Sequence, residues 1–354
     1  MNSKDIITVC YFGIYKPEYS RNKILISGLK SNGVSILECR TGLMGILKYF
    51  DLIKKHWKIR KDYDVMLVAF PGFQSVILAK FLTRKPIVFD AFISMYDSIV
   101  LDRKLVRKYS LKAKYFWWLD KLSFMVADLV IIDTNEHKKY LSKEFRINSK
   151  KIERVFLGAD TNIFYPREEI EKNQKFKVMF YGTYIPLQGI EYIVKAAKIL
   201  ENDKDIIFEL IGDGQEKSNI LELAKELKII NIVFKGNLSI SELANRIFDS
   251  DVCLGIFGNT EKTKRVIPNK VYECVAMKKP VITCDTPAER ELFNDDELFF
   301  TKIADPESIS NAIIKIKNNK ILRNNIAENG YSKFVKNVIP DRIGFHLKEI
   351  LKNF

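Results

Sequence analysis

The sequence has few of the residues that build disulfide frameworks and metal centres. Among its 354 residues are five cysteines and three histidines, and no two cysteines form a C-x-x-C pair. An odd number of scattered cysteines fits neither a disulfide scaffold nor a zinc site. The histidines, His56, His137 and His346, show no paired arrangement for metal binding or catalysis. We therefore expect a protein of the reducing cytoplasm that binds no metal.

Long hydrophobic runs are also missing. No segment approaches the 18 consecutive apolar residues that indicate a membrane-spanning helix. The first apolar run is short and has charges on both sides, which indicates a β-strand and no secretory signal. Hydrophobic residues still make up 47% of the chain and charged residues 29%, the composition of a folded protein. At about 150 residues per domain, the length favours two domains.

Acidic residues are scarce relative to basic ones in one half of the chain. The net charge is +14, of which residues 1–165 carry +13 and residues 166–354 carry +1. The densest basic segment, Arg103 to Lys121 (RKLVRKYSLKAKYFWWLDK), has seven basic residues, one acid and four consecutive aromatic residues. Such a charge asymmetry suggests an anionic partner, either a membrane surface or nucleic acid.

The aromatic residues of Arg103 to Lys121 favour the membrane. Lys and Arg contact lipid phosphates while Trp and Tyr sit among the headgroups, so the segment predicts an interfacial helix, peripheral on the inner face of an anionic membrane. The alternative is a surface helix whose aromatic side chains pack inward. Nucleic acid is not expected, because no DNA- or RNA-binding signature accompanies the charge.

Short apolar strands alternate with helical stretches along the chain. One series of candidate strands covers 6–12, 33–39, 64–70, 86–92 and 129–134, and a second covers 176–182, 206–212, 231–236, 252–257 and 280–284. This alternation is typical of parallel sheets with helices on both faces. We predict two doubly wound α/β domains, 1–168 and one that begins at 169, joined by a polar linker at Pro166 to Lys175.

Glycine-bearing turns follow two strands of the second series. Gly182 ends a strand and Gly189 opens an amphipathic helix, an arrangement that offers backbone N–H groups to a phosphate but also occurs for packing reasons alone. The next strand ends in IGDGQ, with two glycines around Asp213. Neither loop is the G-x-G-x-x-G of a dinucleotide site or the lysine-bearing P-loop, which disfavours a dehydrogenase or an NTPase.

Taken in order, these segments resemble a known family. GTYIPLQG, IGDGQ, FKGN at 234–237, IFGNTEKTKRVIPNKVYECVAMKKPVI and TPAEREL at 286–292 look like the donor-binding domain of GT-B glycosyltransferases of family 4, the retaining group 1 type. VIIDTNEHKKYL at 130–141 and RVFLGADTNIFYP at 154–166 are similar to the family's interdomain segment. The resemblance implies the GT-B fold, with two Rossmann-like domains facing across a cleft. It also implies that a helix at 338–354 returns to the first domain, so that the second domain ends at 337.

The resemblance further implies an activity. A sugar would pass from a nucleotide-diphosphate sugar to a hydroxyl acceptor, with retention of configuration and without metal or other cofactor. The basic, aromatic first half favours a lipid-linked or membrane-adjacent acceptor, in polysaccharide or glycolipid assembly. Two alternatives stay open: a nucleotide-sugar epimerase of GT-B fold, and a non-catalytic nucleotide-sugar or membrane-binding module.

The helix that contains Glu273 carries the central site prediction. The helix is otherwise mainly apolar, and the family's matching glutamate accepts hydrogen bonds from two ribose hydroxyls. Pro268 suits the first position of this helix, whose N–H groups and dipole would then face the donor diphosphate. The predicted donor-binding residues are Gly13, Arg21, Gly182, Thr183, Gly212, Asp213, Gly236, Lys264, Arg265, Ile267, Pro268, Asn269, Lys270 and Glu273.

Two positions depart from the family pattern. Eight residues before Glu273, where many members have a second glutamate, this chain has Arg265, and the family's lysine before the helix glycine is replaced by Gln188. We hypothesise that the phosphate-binding cation lost at 188 has moved to Lys264 or Arg265. Arg265 would then stabilise the charge that develops on the leaving group.

The first domain also contains predicted site residues. Gly13 ends the first strand, and Arg21 and Lys16 belong to the region that the family closes over the donor phosphates, although ordinary loop charge is an alternative. Asp90 follows the fourth strand, where the family often has a histidine, and an acid there could orient the acceptor hydroxyl or receive its proton. Asp90 and Arg265 are therefore the predicted catalytic residues.

Overall fold

The computed structural model describes residues 7–168 and 175–354. The chain forms two compact units: unit 1 comprises Met1–Gly158 with Val338–Phe354, and unit 2 comprises Ala159–Asn337. The first unit therefore ends at Gly158, earlier than the position 168 predicted from the sequence. Most of the predicted linker, residues 169–174, lies outside the described residues.

Unit 1 is built on a six-stranded parallel sheet with the order β2-β1-β3-β4-β5-β6. Its strands are β1 (Thr8–Gly13), β2 (Ser35–Arg40), β3 (Val65–Val68), β4 (Ile87–Phe92), β5 (Leu129–Ile132) and β6 (Ile152–Arg154). Its helices are α1 (Ser20–Ser31), α2 (Leu47–Ile59), α3 (Phe73–Leu82), α4 (Leu111–Val126), α5 (Asn135–Phe145) and α12 (Pro340–Leu351), with a π-helical turn at Asp97–Asp102.

Unit 2 repeats the architecture with the strand order β12-β11-β10-β7-β8-β9, again all parallel. Its strands are β7 (Phe176–Tyr181), β8 (Ile206–Ile211), β9 (Ile232–Lys235), β10 (Val252–Leu254), β11 (Val281–Cys284) and β12 (Phe299–Thr301). Its helices are α6 (Ile190–Ile199), α7 (Lys217–Glu226), α8 (Ile240–Asp249), α9 (Asn269–Ala276), α10 (Pro306–Asn318) and α11 (Lys320–Asn337).

The central strands explain why the sequence predicts most of this architecture. Every residue of β3, β4, β5 and β11 is buried, as expected for parallel strands covered on both faces. Each predicted strand is present, but β6 and β12 were not predicted. Both have three residues and lie at the end of their sheet, so their sequences carry little periodic signal.

The last helix packs on unit 1 through a contact between two glycines. A Cβ on Gly344 of α12 would lie 1.9 Å from the carbonyl oxygen of Gly28 in α1, and a Cβ on Gly28 would lie 2.1 Å from the oxygen of Pro340. Only residues without a side chain allow the helix backbones to approach this closely. Among the residues that the structure describes, no helix is both long and apolar enough to span a bilayer.

Candidate functional site

The strand order of unit 2 reverses between β7 and β10, which are neighbours in the sheet. Ligands of open α/β sheets bind outside the carboxyl ends of the strands at such a reversal. Gly182 directly follows β7, and Gly255 follows β10. The Lys270 ammonium reaches both: Nζ lies 3.4 Å from the Gly255 oxygen, and a Cβ on Gly182 would lie 3.1 Å from the same nitrogen.

The Lys270 side chain is buried, with 4% of its surface exposed. Its Nζ donates to Oε1 of Gln188 at 2.5 Å and lies 3.7 Å from the ring centroid of Phe180. Within residues 7–168 and 175–354, no carboxylate forms an ion pair with it, and burial lowers the pKa of Lys270 well below its ordinary value. The nearby Glu273 charge opposes this lowering only in part, so a buried ammonium here remains unfavourable by itself and the position favours an anionic ligand.

Two glycine-containing loops pack against each other beside Lys270. The N–H of Tyr184 donates to the Asp213 carbonyl at 2.8 Å, and a Cβ on Gly212 would lie 2.0 Å from the Gly182 oxygen. Gly212 also has a φ of +137°, so both sterics and backbone conformation require glycine there. The structure thus brings predicted residues of the two loops together, and Thr183 and Asp213 are exposed at their tips.

Gly236, the third predicted glycine of unit 2, follows β9. The neighbouring Lys235 carbonyl accepts a hydrogen bond from the Gly212 N–H at 3.1 Å, which ties this strand end to the glycine loops. A Cβ on Gly236 would meet nothing within 4 Å. The position is open, and no packing contact there explains the glycine.

Helix α9 begins one residue later than predicted. Pro268 is the N-cap, with an extended ψ of 151°, and the helix starts at Asn269. Because proline has no polar side chain, no side chain caps the first N–H groups of α9. Ile267 is buried, and Asn269 is half-buried. The free N–H groups at the start of α9 carry partial positive charge, and the Lys270 ammonium lies in the same turn of the helix.

Glu273 lies one turn after Lys270 and is 8% exposed. Its Oε2 accepts a hydrogen bond of 2.5 Å from the Tyr181 hydroxyl at the end of β7. Burial raises the pKa of Glu273, and the tyrosine hydrogen bond and the Lys270 charge oppose that rise. The sequence analysis did not predict Tyr181 as a site residue. Its position could have indicated it, because a residue with a hydroxyl group stands directly before Gly182 at the end of a strand.

The sequence hypothesis moves the cation lost at position 188 to Lys264 or Arg265, and it stays a prediction. Lys264 forms an ion pair with Glu261 at 2.7 Å, whereas the ammonium in contact with Gln188 belongs to Lys270. A lysine on α9 reaches the glycine turn from the adjacent element, which spacing along the chain does not reveal. Arg265 ends a short 3-10 turn and is half-buried, and its assignment stays a prediction.

In unit 1, the predicted residues Arg21 and Asp90 form a fully buried ion pair. The Arg21 Nε and Nη2 atoms donate to the Asp90 carboxylate at 2.9–3.1 Å, and Nη1 donates to the carbonyls of Val155 and Phe156 at 2.8 and 2.9 Å. Both side chains have 0% exposure. The expectation that Arg21 contacts the donor and Asp90 the acceptor is therefore not supported, because neither presents an atom to a ligand.

Gly13 lies where the first sheet reverses, between β1 and β3. Its φ is +139°, and a Cβ would contact Ser75 at 3.6 Å, which is ordinary packing distance. The strained backbone alone accounts for glycine. His137, on α5, is buried, with Nδ1 2.6 Å from Asp133. The described residues contain no group of three or more His, Cys, Asp or Glu side chains able to hold a metal.

The basic segment Arg103 to Lys121 is only partly helical. Its first eight residues precede α4, whose N-cap Ser110 accepts a hydrogen bond from the Ala113 N–H. Trp117 faces inward, with Nε1 donating to Glu144 at 2.9 Å, whereas Tyr115 and Trp118 are about half exposed. The aromatic cluster is therefore divided between inward packing and exposure, and the membrane-interfacial role of the segment stays a prediction.

Comparison with known proteins agrees with this architecture. Residues 162–333 match the family model described as glycosyl transferases group 1. An uncharacterized glycosyltransferase of Methanocaldococcus jannaschii is 28% identical over 235 residues, covering 64% of this chain and 59% of that protein. The chitobiosyldiphosphodolichol beta-mannosyltransferase of Candida albicans is 27% identical over 191 residues, covering 49% of this chain and 41% of that protein.

A solved structure covers the chain more completely. The crystal structure of Anabaena HepE in complex with UDP superposes with a TM-score of 0.70 at 14% identity, covering 99% of this chain and 100% of HepE. This likeness establishes the GT-B fold expected from the sequence. The family model over residues 162–333 and the named relatives, which are glycosyltransferases, bear out the resemblance to group 1 glycosyltransferases seen in the sequence.

Proposed function

We propose that the protein is a retaining, metal-independent glycosyltransferase that moves a sugar, most simply a hexose, from a nucleotide-diphosphate sugar to a hydroxyl of a lipid-linked acceptor. The observation that carries this proposal is the buried Lys270 ammonium, without a carboxylate partner in the described part of the chain, at the strand reversal of unit 2. The HepE complex with UDP supports a nucleotide donor.

The donor diphosphate would lie against Lys270 and the uncapped start of α9. As the glycosidic bond to the diphosphate breaks, negative charge develops on the leaving phosphate. A fixed cation and fixed N–H groups stabilise that charge without reorganisation, and they do so more strongly away from water. This role makes a divalent cation unnecessary in the proposed reaction.

The nucleoside would lie beside the glycine loops, with its ribose against Glu273. The carboxylate has one oxygen engaged by Tyr181, which fixes its rotamer, and a second oxygen that can accept from ribose. Because burial raises the pKa of Glu273, a hydroxyl donor adds to the stability of its charged form. The glycines 182 and 212 leave room for the backbone to approach the nucleotide.

A surface of unit 1 supports a membrane-adjacent acceptor. On α4 the exposed apolar side chains recur with spacings of four and three residues, which places them on one face. On α2 and the residue before it a second exposed stripe has the same spacing. The α4 stripe comprises Leu111, Tyr115, Trp118, Leu122 and Met125, and the α2 stripe comprises Ile46, Phe50, Ile53 and Trp57.

The two stripes are neighbours. Gln74 of α3 accepts from the Tyr49 hydroxyl of α2 at 2.8 Å, and its Nε2 donates to the Tyr115 hydroxyl of α4 at 3.3 Å. Lysines flank both stripes, and Lys121 lies over the Trp117 and Trp118 rings. Exposed Trp, Tyr and Leu among lysines suit the interface of an anionic bilayer. The α2 stripe was not predicted from the sequence.

One enzyme assay tests the central proposal. The full chain is incubated with a panel of nucleotide sugars, with and without a lipid extract, and free nucleoside diphosphate is measured. We expect release with one donor class, stimulated by lipid, unaffected by EDTA, and a glycosylated lipid whose anomeric configuration matches the donor. An isomerised nucleotide sugar would identify an epimerase instead, and donor binding without any release would identify a binding module.

Vesicle sedimentation tests the membrane surface separately. We expect binding to vesicles with anionic lipid at low salt and weak binding to neutral vesicles, because lysine contacts with lipid phosphate are electrostatic. The double variant Phe50→Ser, Trp118→Ser should bind less, whereas Leu221→Ser, which removes an exposed apolar side chain of unit 2, should bind as wild type. Equal binding by all three proteins would remove the surface from the proposal.

A further inference from the structure

Unit 2 contains a pocket of about 340 Å³ at the amino ends of β10 and β11. Since all strands of this sheet are parallel, the pocket lies at the edge opposite to Gly182 and Lys270. Its charged lining comprises Arg167, Lys278, Lys279, Lys320 and Arg323 against Asp251 and Glu328. Three excess positive charges thus surround one pocket in a region of the chain, 166–354, whose net charge is only +1.

Both acids of this basic pocket have partners, one outside the pocket and one within it. Asp251 accepts a hydrogen bond of 2.7 Å from the backbone N–H of Lys177, and Glu328 forms an ion pair with Lys278. In the part of the chain that the structure describes, no acid pairs with Lys320 or Arg323. Glu328 therefore neutralises Lys278, whereas the charges of Lys320 and Arg323 are not paired with an acid of the described residues.

Lys320 and Arg323 are in the first turn of α11, an 18-residue helix with no acidic residue in that turn. The helix dipole makes a cation at this end unfavourable and an anion favourable. The Arg323 Nη1 atom approaches the Ile316 and Lys317 carbonyls only at 3.5 and 3.4 Å, which leaves most of its guanidinium available. Two cations at a helix start become favourable once an anion binds between them and the helix.

Arg167 adds a second guanidinium on the other wall. Its Nη1 donates to Asn245 at 2.7 Å, while its Nε is buried and has no hydrogen-bond partner among the described residues. A buried N–H without an acceptor costs free energy. Guanidinium groups bind tetrahedral oxyanions through pairs of N–H groups, a geometry that phosphate oxygens match.

We infer that the basic pocket is an oxyanion site for phosphate or pyrophosphate, separate from the donor site. Arg167 and Arg323 would hold the oxyanion from two walls, and Lys320 and the α11 N-terminus would supply the remaining charge. The inference stands independently of the glycosyltransferase activity, because no residue of the donor site lines this pocket.

Thermal unfolding of the full chain in phosphate or pyrophosphate tests the site, with sodium chloride at equal ionic strength as the reference. We expect a saturable rise in Tm for wild type. Lys320→Glu should have a higher Tm without phosphate, because it removes a cation from the helix start, and should bind phosphate about tenfold or more weakly. Lys302→Glu, a charge reversal at an exposed position outside the pocket, should respond as wild type.

Lys270→Met separates this site from the donor site and should keep the phosphate response. A response lost in Lys270→Met and kept in Lys320→Glu would move phosphate binding to the donor site and overturn the inference. A rise in Tm that does not saturate, or that sodium chloride reproduces, would show an adventitious ion only and would overturn it as well.

Discussion

Each unit buries a cation on a helix that follows a strand of its sheet, Arg21 on α1 and Lys270 on α9, but the two cations have different partners. In unit 1, Arg21 is buried together with Asp90, and two backbone carbonyls accept its remaining N–H groups. In unit 2, the buried Lys270 ammonium contacts the Gln188 amide oxygen, the Phe180 ring and, at 3.4 Å, the Gly255 carbonyl. It forms no ion pair with a carboxylate among the described residues. The first arrangement is complete, and the second needs an anion.

Under the proposed function, this difference separates a structural charge from a ligand-binding one. Removing one member of a complete buried pair leaves the other uncompensated, so stability falls. Removing a buried charge that has no partner relieves desolvation, so stability is kept while binding is lost. Replacing Arg21 in unit 1 should therefore lower stability, whereas replacing Lys270 in unit 2 should lower activity and leave stability unchanged.

The largest expected effect is on the stability of unit 1. Arg21→Met should lower the free energy of unfolding by about 3–5 kcal/mol, because Asp90 stays buried without its cation. Urea unfolding measures the loss, and Arg21→Met combined with Asp90→Leu should recover much of it. If Arg21→Met left the free energy of unfolding almost unchanged, the ion pair of Arg21 and Asp90 would not be what stabilises unit 1.

The next effect is on turnover. Lys270→Met should lower kcat by about 10²–10³, the cost of losing one preorganised group at a developing charge, with Tm unchanged or raised. Nucleoside diphosphate release and thermal unfolding give the two readouts. Lys225→Met, an exposed lysine of α7, is the matched control and should change neither. Loss of stability in Lys270→Met would make Lys270 structural, like Arg21.

A smaller effect is expected for donor affinity. Glu273→Gln should raise the KM for the donor about tenfold or more, since a charge-assisted hydrogen bond to ribose is worth about 1.5–3 kcal/mol. Tyr181→Phe removes only the hydroxyl that orients Glu273 and should cost less. An unchanged KM in both variants would assign this buried pair to packing rather than to the ribose.

The smallest effect is a pH dependence of stability, which again differs between units. Asp120 in unit 1 accepts three hydrogen bonds, and burial raises its pKa to about 7. Glu289 in unit 2 accepts one hydrogen bond, from Thr283, and burial raises its pKa to about 8. Because the folded pKa of Glu289 exceeds its ordinary value of 4.5, its contribution is complete below pH 4.5 and is lost as pH rises through 8.

Thermal unfolding between about pH 5 and about pH 9, a range that includes the raised pKa of Glu289, measures this dependence. Glu289→Gln keeps a neutral side chain, so its Tm should fall less than that of wild type across the range, and the corresponding change for Asp120→Asn should be smaller. Identical pH profiles of wild type and Glu289→Gln would show that Glu289 is ionised in the folded protein.

The parts of the fold that repeat a strong local pattern are predictable from the sequence. Continuous apolar runs identify ten of the twelve strands found in residues 7–168 and 175–354, and the chain order of the glycine turns and the Glu273 helix carries the resemblance to the family. The strands β6 and β12 are too short to carry such a pattern. The exposed stripe of α2 was missed because a 3.6-residue periodicity also describes a helix that packs inward.

The sequence by itself determined the two α/β domains, the resemblance to the GT-B glycosyltransferases and the helix that contains Glu273, because periodicity and motif order are properties of the chain. Tertiary structure decided which charges meet. It brought Arg21 into contact with Asp90, 69 residues away in the chain, and Lys270 into contact with Gln188, 82 residues away. Ion pairs and desolvation act over a few ångströms in space, so their partners depend on how strand ends and helices pack rather than on position in the chain.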